Sequence, residues 1–173
     1  MMKKSLLIVS ALLFSSSCMA EQWYVDGGLG FISMDGGGDK ISPTNLYVRG
    51  GYNINSTFDV GIESSVTVSP DQIAIVPGVD VDLDIDIGTI YIRAGMPVGE
   101  NTRIYGQIGS SNTTFTASAG SVSVSDDESD TMLGFGADIG LSDSLYLALN
   151  YSQYYSDQGD TITGINVGIG TRF

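Results

Sequence analysis

From Thr163 to Phe173 the chain alternates with a period of two. Thr163, Ile165, Val167, Ile169, Thr171 and Phe173 fall on one face; Gly164, Asn166, Gly168, Gly170 and Arg172 fall on the other. A period of two belongs to extended strands and not to helices. The same alternation recurs upstream: Leu145, Leu147, Leu149 and Tyr151 oppose Tyr146, Ala148, Asn150 and Ser152, while Phe58, Val60, Ile62, Val66 and Val68 oppose Asp59, Gly61, Glu63, Ser65 and Thr67. A soluble sheet turns long Lys, Glu and Gln side chains toward water. Here the non-apolar face is mostly Gly, Ser, Asn and Ala, which suits the crowded inside of a small barrel whose other face meets lipid.

Eight segments carry the pattern, about 23–34, 44–54, 58–68, 81–96, 102–116, 131–141, 145–155 and 162–173. Short turns at 53–57, 97–101 and 142–144 alternate with longer polar connections at 35–43, 69–80, 117–130 and 156–161. Periplasmic turns and extracellular loops of outer membrane barrels sort in this way. The expected fold is therefore all-β, an eight-stranded antiparallel up-and-down transmembrane β-barrel. A soluble exported sandwich is the rival, and it would show itself by fractionating without detergent.

Residues 1–20 read as a cleaved signal peptide: Lys3 and Lys4, an apolar run from Leu6 to Phe14, then small residues up to Ala20. The run is too short to remain as a spanning helix, which needs about 20 residues. A lipoprotein signal acylated at Cys18 is the competing reading, but Ser15 stands where such signals carry leucine. Residues 21–173 would then form one barrel domain without cysteine or histidine, in which Lys40, Arg49, Arg93, Arg103 and Arg172 face twenty acidic residues. Such a chain cannot be a disulfide scaffold, and its charge argues against nucleic acid as a partner.

Arg49 and Arg93 sit in matching stretches, Leu46–Tyr52 and Ile90–Met96, the echo expected of similar hairpins. An arginine pointing into lipid at mid-membrane costs about 2–4 kcal/mol, so both should face inward. Counting from the short turns puts Glu63 between them, with Asp26 and Asp138 supplying further charge, as a lumen ion-pair network of Asp26, Arg49, Glu63, Arg93 and Asp138. That phase would put Ile85 and Ile87 on the wrong, inward side, so the strand is expected to slip by one residue through a bulge at Gly88. Outward, Trp23, Tyr52, Phe58, Tyr151 and Phe173 fall near strand ends as an aromatic girdle, with Val60, Ile62, Ile92 and Leu147 between them. Asp80, Asp82, Asp84 and Asp86 share one strand face about 7 Å apart. A straight row gives a hard cation only one or two ligands, so these are weak metal candidates within a solvated acidic face, as is Asp126–Asp130. No cofactor is expected.

The run Leu133–Tyr155 followed by Ile165–Phe173 resembles the closing hairpins of the OmpA/OmpX-like small outer membrane β-barrel proteins, and the two Tyr-x-Arg segments resemble their inner hairpins. The resemblance implies that Ile165, Val167, Ile169, Thr171 and Phe173 form the signal read by the barrel assembly machinery after periplasmic chaperones deliver the chain. It also implies an outer membrane monomer among lipid and lipopolysaccharide. Enzymes built on related barrels use a histidine general base, which this chain lacks, and Lys40 is its only lysine beyond the signal, so no catalysis is expected. An eight-stranded lumen is filled by side chains. The resulting expectation is a structural or surface-interaction protein of adhesion or envelope integrity, acting through acidic extracellular loops toward an extracellular ligand. The alternative is a small solute channel or carrier.

Overall fold

The computed structural model describes residues 22–36, 40–76, 79–157 and 159–173, with main chain only over 73–80. The expected signal peptide lies outside the described residues. Their regular structure is all β: β1 (Trp23–Asp35), β2 (Thr44–Asn53), β3 (Phe58–Ser69), β4 (Asp71–Val76), β5 (Val79–Val98), β6 (Thr102–Ala119), β7 (Val122–Gly140), β8 (Leu145–Asp157) and β9 (Asp160–Arg172). Every pairing is antiparallel, and β3 joins β5 while β9 joins β1, so eight strands close into a ring. Short β4 pairs only with β5 and stands above the ring. Closure satisfies the main-chain donors and acceptors within the strands, which is the condition for crossing lipid.

The outer wall is a belt of exposed apolar side chains that includes Ile62, Ile90, Ile92, Ile108, Phe135 and Ile169. Ile90 is 64% accessible, far from a soluble core position. A water-soluble monomer rarely shows a continuous patch of this kind, whereas a lipid-facing barrel requires one. At the turn end Trp23 and Tyr52 meet edge to face, 4.9 Å between ring centres.

Inside, tyrosines lie across glycines. One transverse row runs Tyr24, Gly51, Gly61, Tyr91 over β1, β2, β3 and β5. The two rings enter from opposite ends and their hydroxyls meet at 3.1 Å. A Cβ at Gly61 would stand 2.5 Å from the Tyr91 hydroxyl, so the glycine provides the room for the ring. Tyr47 likewise lies across Gly28 to reach Gly168, where a Cβ would clash with its hydroxyl.

Two expectations need correction. The pairing of β5 with both β3 and β6 runs unbroken through Gly88, so that residue is not a bulge. Ile85 and Ile87 are each 2% exposed and point inward, where they join Ile32, Met132, Tyr154 and Ile162 in an apolar cluster at the extracellular end. The lumen is thus ionic below and apolar above, a division that the small polar residues of the other strands do not reveal. The connections 69–80 and 117–130, expected as loops, are mostly strand: β4 and β5 extend one hairpin, and β6 and β7 run on to a tight turn in which Gly120 has φ 60°. Val122 and Val124 in one stretch and Ile73, Ile75 and Val76 in the other favour strand, and ladder pairing outweighs the polarity that suggested loop.

Candidate lumen site and periplasmic mouth

The lumen site is built from inward residues of strands whose outer faces must be apolar. On β2, Leu46, Val48 and Gly50 face out, so Tyr47 and Arg49 face in; on β5, Ile90 and Ile92 face out, so Tyr91 and Arg93 face in. Arg49 and Arg93 are among the largest fully buried side chains of the molecule.

Arg49 is held by Asp26, its cross-strand partner. Its Nε lies 3.1 Å from both carboxylate oxygens and its Nη2 2.9 Å from Oδ1. Asp26 Oδ2 also accepts from the Tyr146 hydroxyl at 3.0 Å. On the other side Glu63, paired with Arg49 in the β2–β3 register, comes to 3.9 Å of Nη1. Glu63 accepts a shorter bond, 2.8 Å, from the Tyr154 hydroxyl, and two of 3.4 Å from the Asn166 amide.

Arg93 does not share Glu63. The β3–β5 register sets Arg93 opposite Asp59 and Glu63 opposite Thr89, one four-residue step away. Arg93 Nε donates to Asp59 Oδ1 at 2.6 Å, and its guanidinium carbon lies between the rings of Tyr24 and Tyr105 at 4.3 and 4.5 Å. Arg103 Nη1 donates to Asp59 Oδ2 at 2.8 Å, so Asp59, wholly buried, accepts from two arginines. Asp138 stands opposite Arg103 on the neighbouring strand, yet its Oδ2 accepts from Arg172 at 3.0 Å. The site is therefore three linked clusters: Asp26–Arg49–Glu63 in the middle, then Arg93–Asp59–Arg103 and Asp138–Arg172 toward the turns.

Asp59, Arg103 and Arg172 were absent from the network read in the sequence. The signal for Asp59 was available, since it shares the inner face of β3 with Glu63. Register across a tight turn can be counted, which is why Arg49 and Glu63 meet. Between β3 and β5 the chain first makes the β4 excursion, so counting across that pair has no fixed origin.

The acidic row on β5 stands above the apolar belt. Asp82 accepts from Gln72 at 2.8 Å and Asp86 from the Thr67 amide at 2.7 Å; the Asp80 side chain falls outside the described residues. Among the described residues no group of three potential ligands gathers around a common centre. Ile165, Val167 and Ile169 line the outer face of β9, and the main chain of Phe173 exchanges two hydrogen bonds with Trp23 across the closing seam.

The same architecture recurs in solved structures. Ail, the attachment invasion locus protein of Yersinia pestis, is 16% identical, with a TM-score of 0.68 over 90% of this chain and all of that one. Neisserial surface protein A is 12% identical, at 0.70 over 87% and 97% of the two chains. The Pseudomonas aeruginosa outer membrane protein OprG is 15% identical, at 0.63 over 89% and 96%. At these identities the likeness concerns the fold. Among curated proteins none matches the chain in sequence. Residues 6–173 match the outer membrane protein β-barrel domain, and with a closed ring of strands inside an apolar belt the chain belongs to that family, as a small barrel of the OmpA/OmpX-like type.

Proposed function

We propose that this outer membrane barrel is a closed structural anchor that displays an acidic β-sheet for contact with cationic groups at the cell surface. The observation that carries the reading is the sheet that β5, β6 and β7 extend beyond the apolar belt. In register across it lie Asp86, Thr114 and Asp127, then Asp84, Thr116 and Ser125, then Asp82, Ser118 and Ser123. The upper part of β7 pairs with β6 alone, because its pairing with β8 begins at Leu133. Asp126, Asp127, Glu128 and Asp130 along that edge discourage indiscriminate strand pairing and select a partner of opposite charge.

Ail has been crystallised with a heparin analogue, sucrose octasulfate, which is a polyanion. The acidic sheet here argues for the opposite preference. Purified barrel should be retained on a polylysine surface and not on heparin, with retention falling as salt rises. Asp82→Asn, Asp84→Asn, Asp86→Asn and Asp127→Asn together should abolish retention while heat-modifiable gel mobility stays intact. Retention on heparin, or on polylysine regardless of the four substitutions, would refute the reading.

Export with cleavage after Ala20, and assembly directed by the outer face of β9 ending at Phe173, belong to the same proposal. Catalysis is not part of it: the enzymes built on related barrels rely on a histidine general base, and the sequence holds none.

A further inference from the structure

The turn end of the lumen opens into a cavity of about 360 Å³ lined by Tyr24, Asn55, Arg93, Arg103, Asp138 and Arg172 among others. It sits at the foot of the barrel, away from the acidic extracellular sheet. Three guanidinium groups border it against one carboxylate, with Asp59 behind them and fully buried. Arg103 and Arg172 remain partly open, their side chains 17% and 26% accessible. Their known bonds leave donors over: Arg103 uses Nη1 on Asp59 and Nη2 on the Thr57 carbonyl, and Arg172 uses one nitrogen on Asp138. Arg93 is 1% exposed, and its Nη1 is buried without a hydrogen-bond partner.

The carboxylate of Asp138 shows the complementary feature. Oδ2 accepts from Arg172, while Oδ1 is buried without a donor, in a residue 2% exposed. The mouth thus presents several unused cationic donors beside one unused acceptor. An oxyanion satisfies the first, because guanidinium forks match its oxygens. Among oxyanions, one that also carries a proton can satisfy the second as well.

We propose that the periplasmic mouth binds a hydrogen phosphate group, inorganic or as a monoester, with its oxygens on Arg93, Arg103 and Arg172 and its P–OH donating to Asp138 Oδ1. Sulfate has the same shape but no proton at neutral pH. It would set an oxygen lone pair against the buried carboxylate oxygen, and a site with an unpaired buried acceptor rejects such an analogue by roughly tenfold or more. The extracellular acidic groups lie far beyond the screening length of about 8 Å at physiological salt, so they do not oppose entry from the periplasmic side.

The test uses the folded full-length barrel in detergent micelles, with arginine Nε–H resonances followed by NMR during titration at constant ionic strength. Inorganic phosphate should shift the Arg103 and Arg172 signals saturably, and sulfate should need roughly ten times the concentration or more for the same shift. Glycerol phosphate in a parallel titration separates the sources: a tighter isotherm than that of inorganic phosphate identifies a monoester ligand, a weaker one the free ion. Arg172→Gln should weaken phosphate binding, and Asp138→Asn, whose amide can donate, should erase or invert the preference over sulfate. Heat-modifiable mobility certifies that each variant is folded, and if Asp138→Asn fails that check the wild-type phosphate-to-sulfate ratio still decides. Absence of a saturable shift, equal response to sulfate in the wild type, or an unchanged isotherm in folded Arg172→Gln would overturn the proposal.

Discussion

Asp59 holds two arginines and is held by a tyrosine, since Arg93, Arg103 and the Tyr24 hydroxyl all donate to its carboxylate. Removing its charge leaves two guanidiniums facing one another, Arg93 buried and Arg103 only partly open to the mouth. Breaking a buried pair from one side costs about 3–5 kcal/mol, and Asp59→Asn is expected in that range by urea unfolding in detergent. The same measurement decides the connectivity. Asp59→Asn and Arg93→Gln should be strongly non-additive, whereas Glu63→Gln and Arg93→Gln should add within about 0.5 kcal/mol, because those side chains share no bond. Additivity at Asp59–Arg93, or strong coupling at Glu63–Arg93, would contradict the geometry. The inward direction of both arginines was legible from the lipid penalty alone. Which carboxylate each one finds was not, because partner choice depends on the tilt and register of strands that are distant in sequence.

At the scale of elements, β9 closes the ring against β1 from Asp35 opposite Thr161 down to Tyr24 opposite Arg172. The main-chain bonds between Trp23 and Phe173, 2.9 and 3.0 Å, finish the seam and do not involve the Phe173 ring. Phe173→Asp therefore keeps the pairing and alters only what the outer face offers during assembly. We expect that variant to accumulate in the periplasm as aggregate or fragments, with Phe173→Tyr rescuing it, as followed by membrane fractionation and heat-modifiable mobility. Normal outer membrane levels of Phe173→Asp would remove the assembly role. The lower half of each strand was readable because lipid on one side and a narrow lumen on the other leave apolar against small as the only workable alternation. Above the belt that contrast weakens: one face of the β6–β7 hairpin is Ser, Thr and Asp, the other mixes Phe115, Ala117, Val122 and Val124 with Asp126 and Glu128, and polarity alone cannot separate strand from loop. Ile85 and Ile87 depart from the small, polar pattern of the lumen for a related reason, since they close it with hydrocarbon where the ionic clusters end.

For the whole molecule, two different plugs lie in series: charged clusters filled in by tyrosine rings, and above them the apolar cluster of Ile32, Ile85, Ile87, Met132 and Ile162. An ion crossing the lumen would have to displace both. Purified barrel in planar bilayers should stay silent, and reproducible conductance steps would instead support a channel. The rows of tyrosine over glycine carry a consequence for descent. Tyr24 and Tyr91 share the space above Gly51 and Gly61, and Tyr47 fills the space above Gly168, so neither member of such a set can change size alone. On the lipid wall one aliphatic residue can stand in for another, so sequence identity should decay there first. In the lumen, positions far apart along the chain are obliged to mutate together, and among diverged relatives these paired substitutions would preserve the strand alignment after the rest of the sequence has lost it.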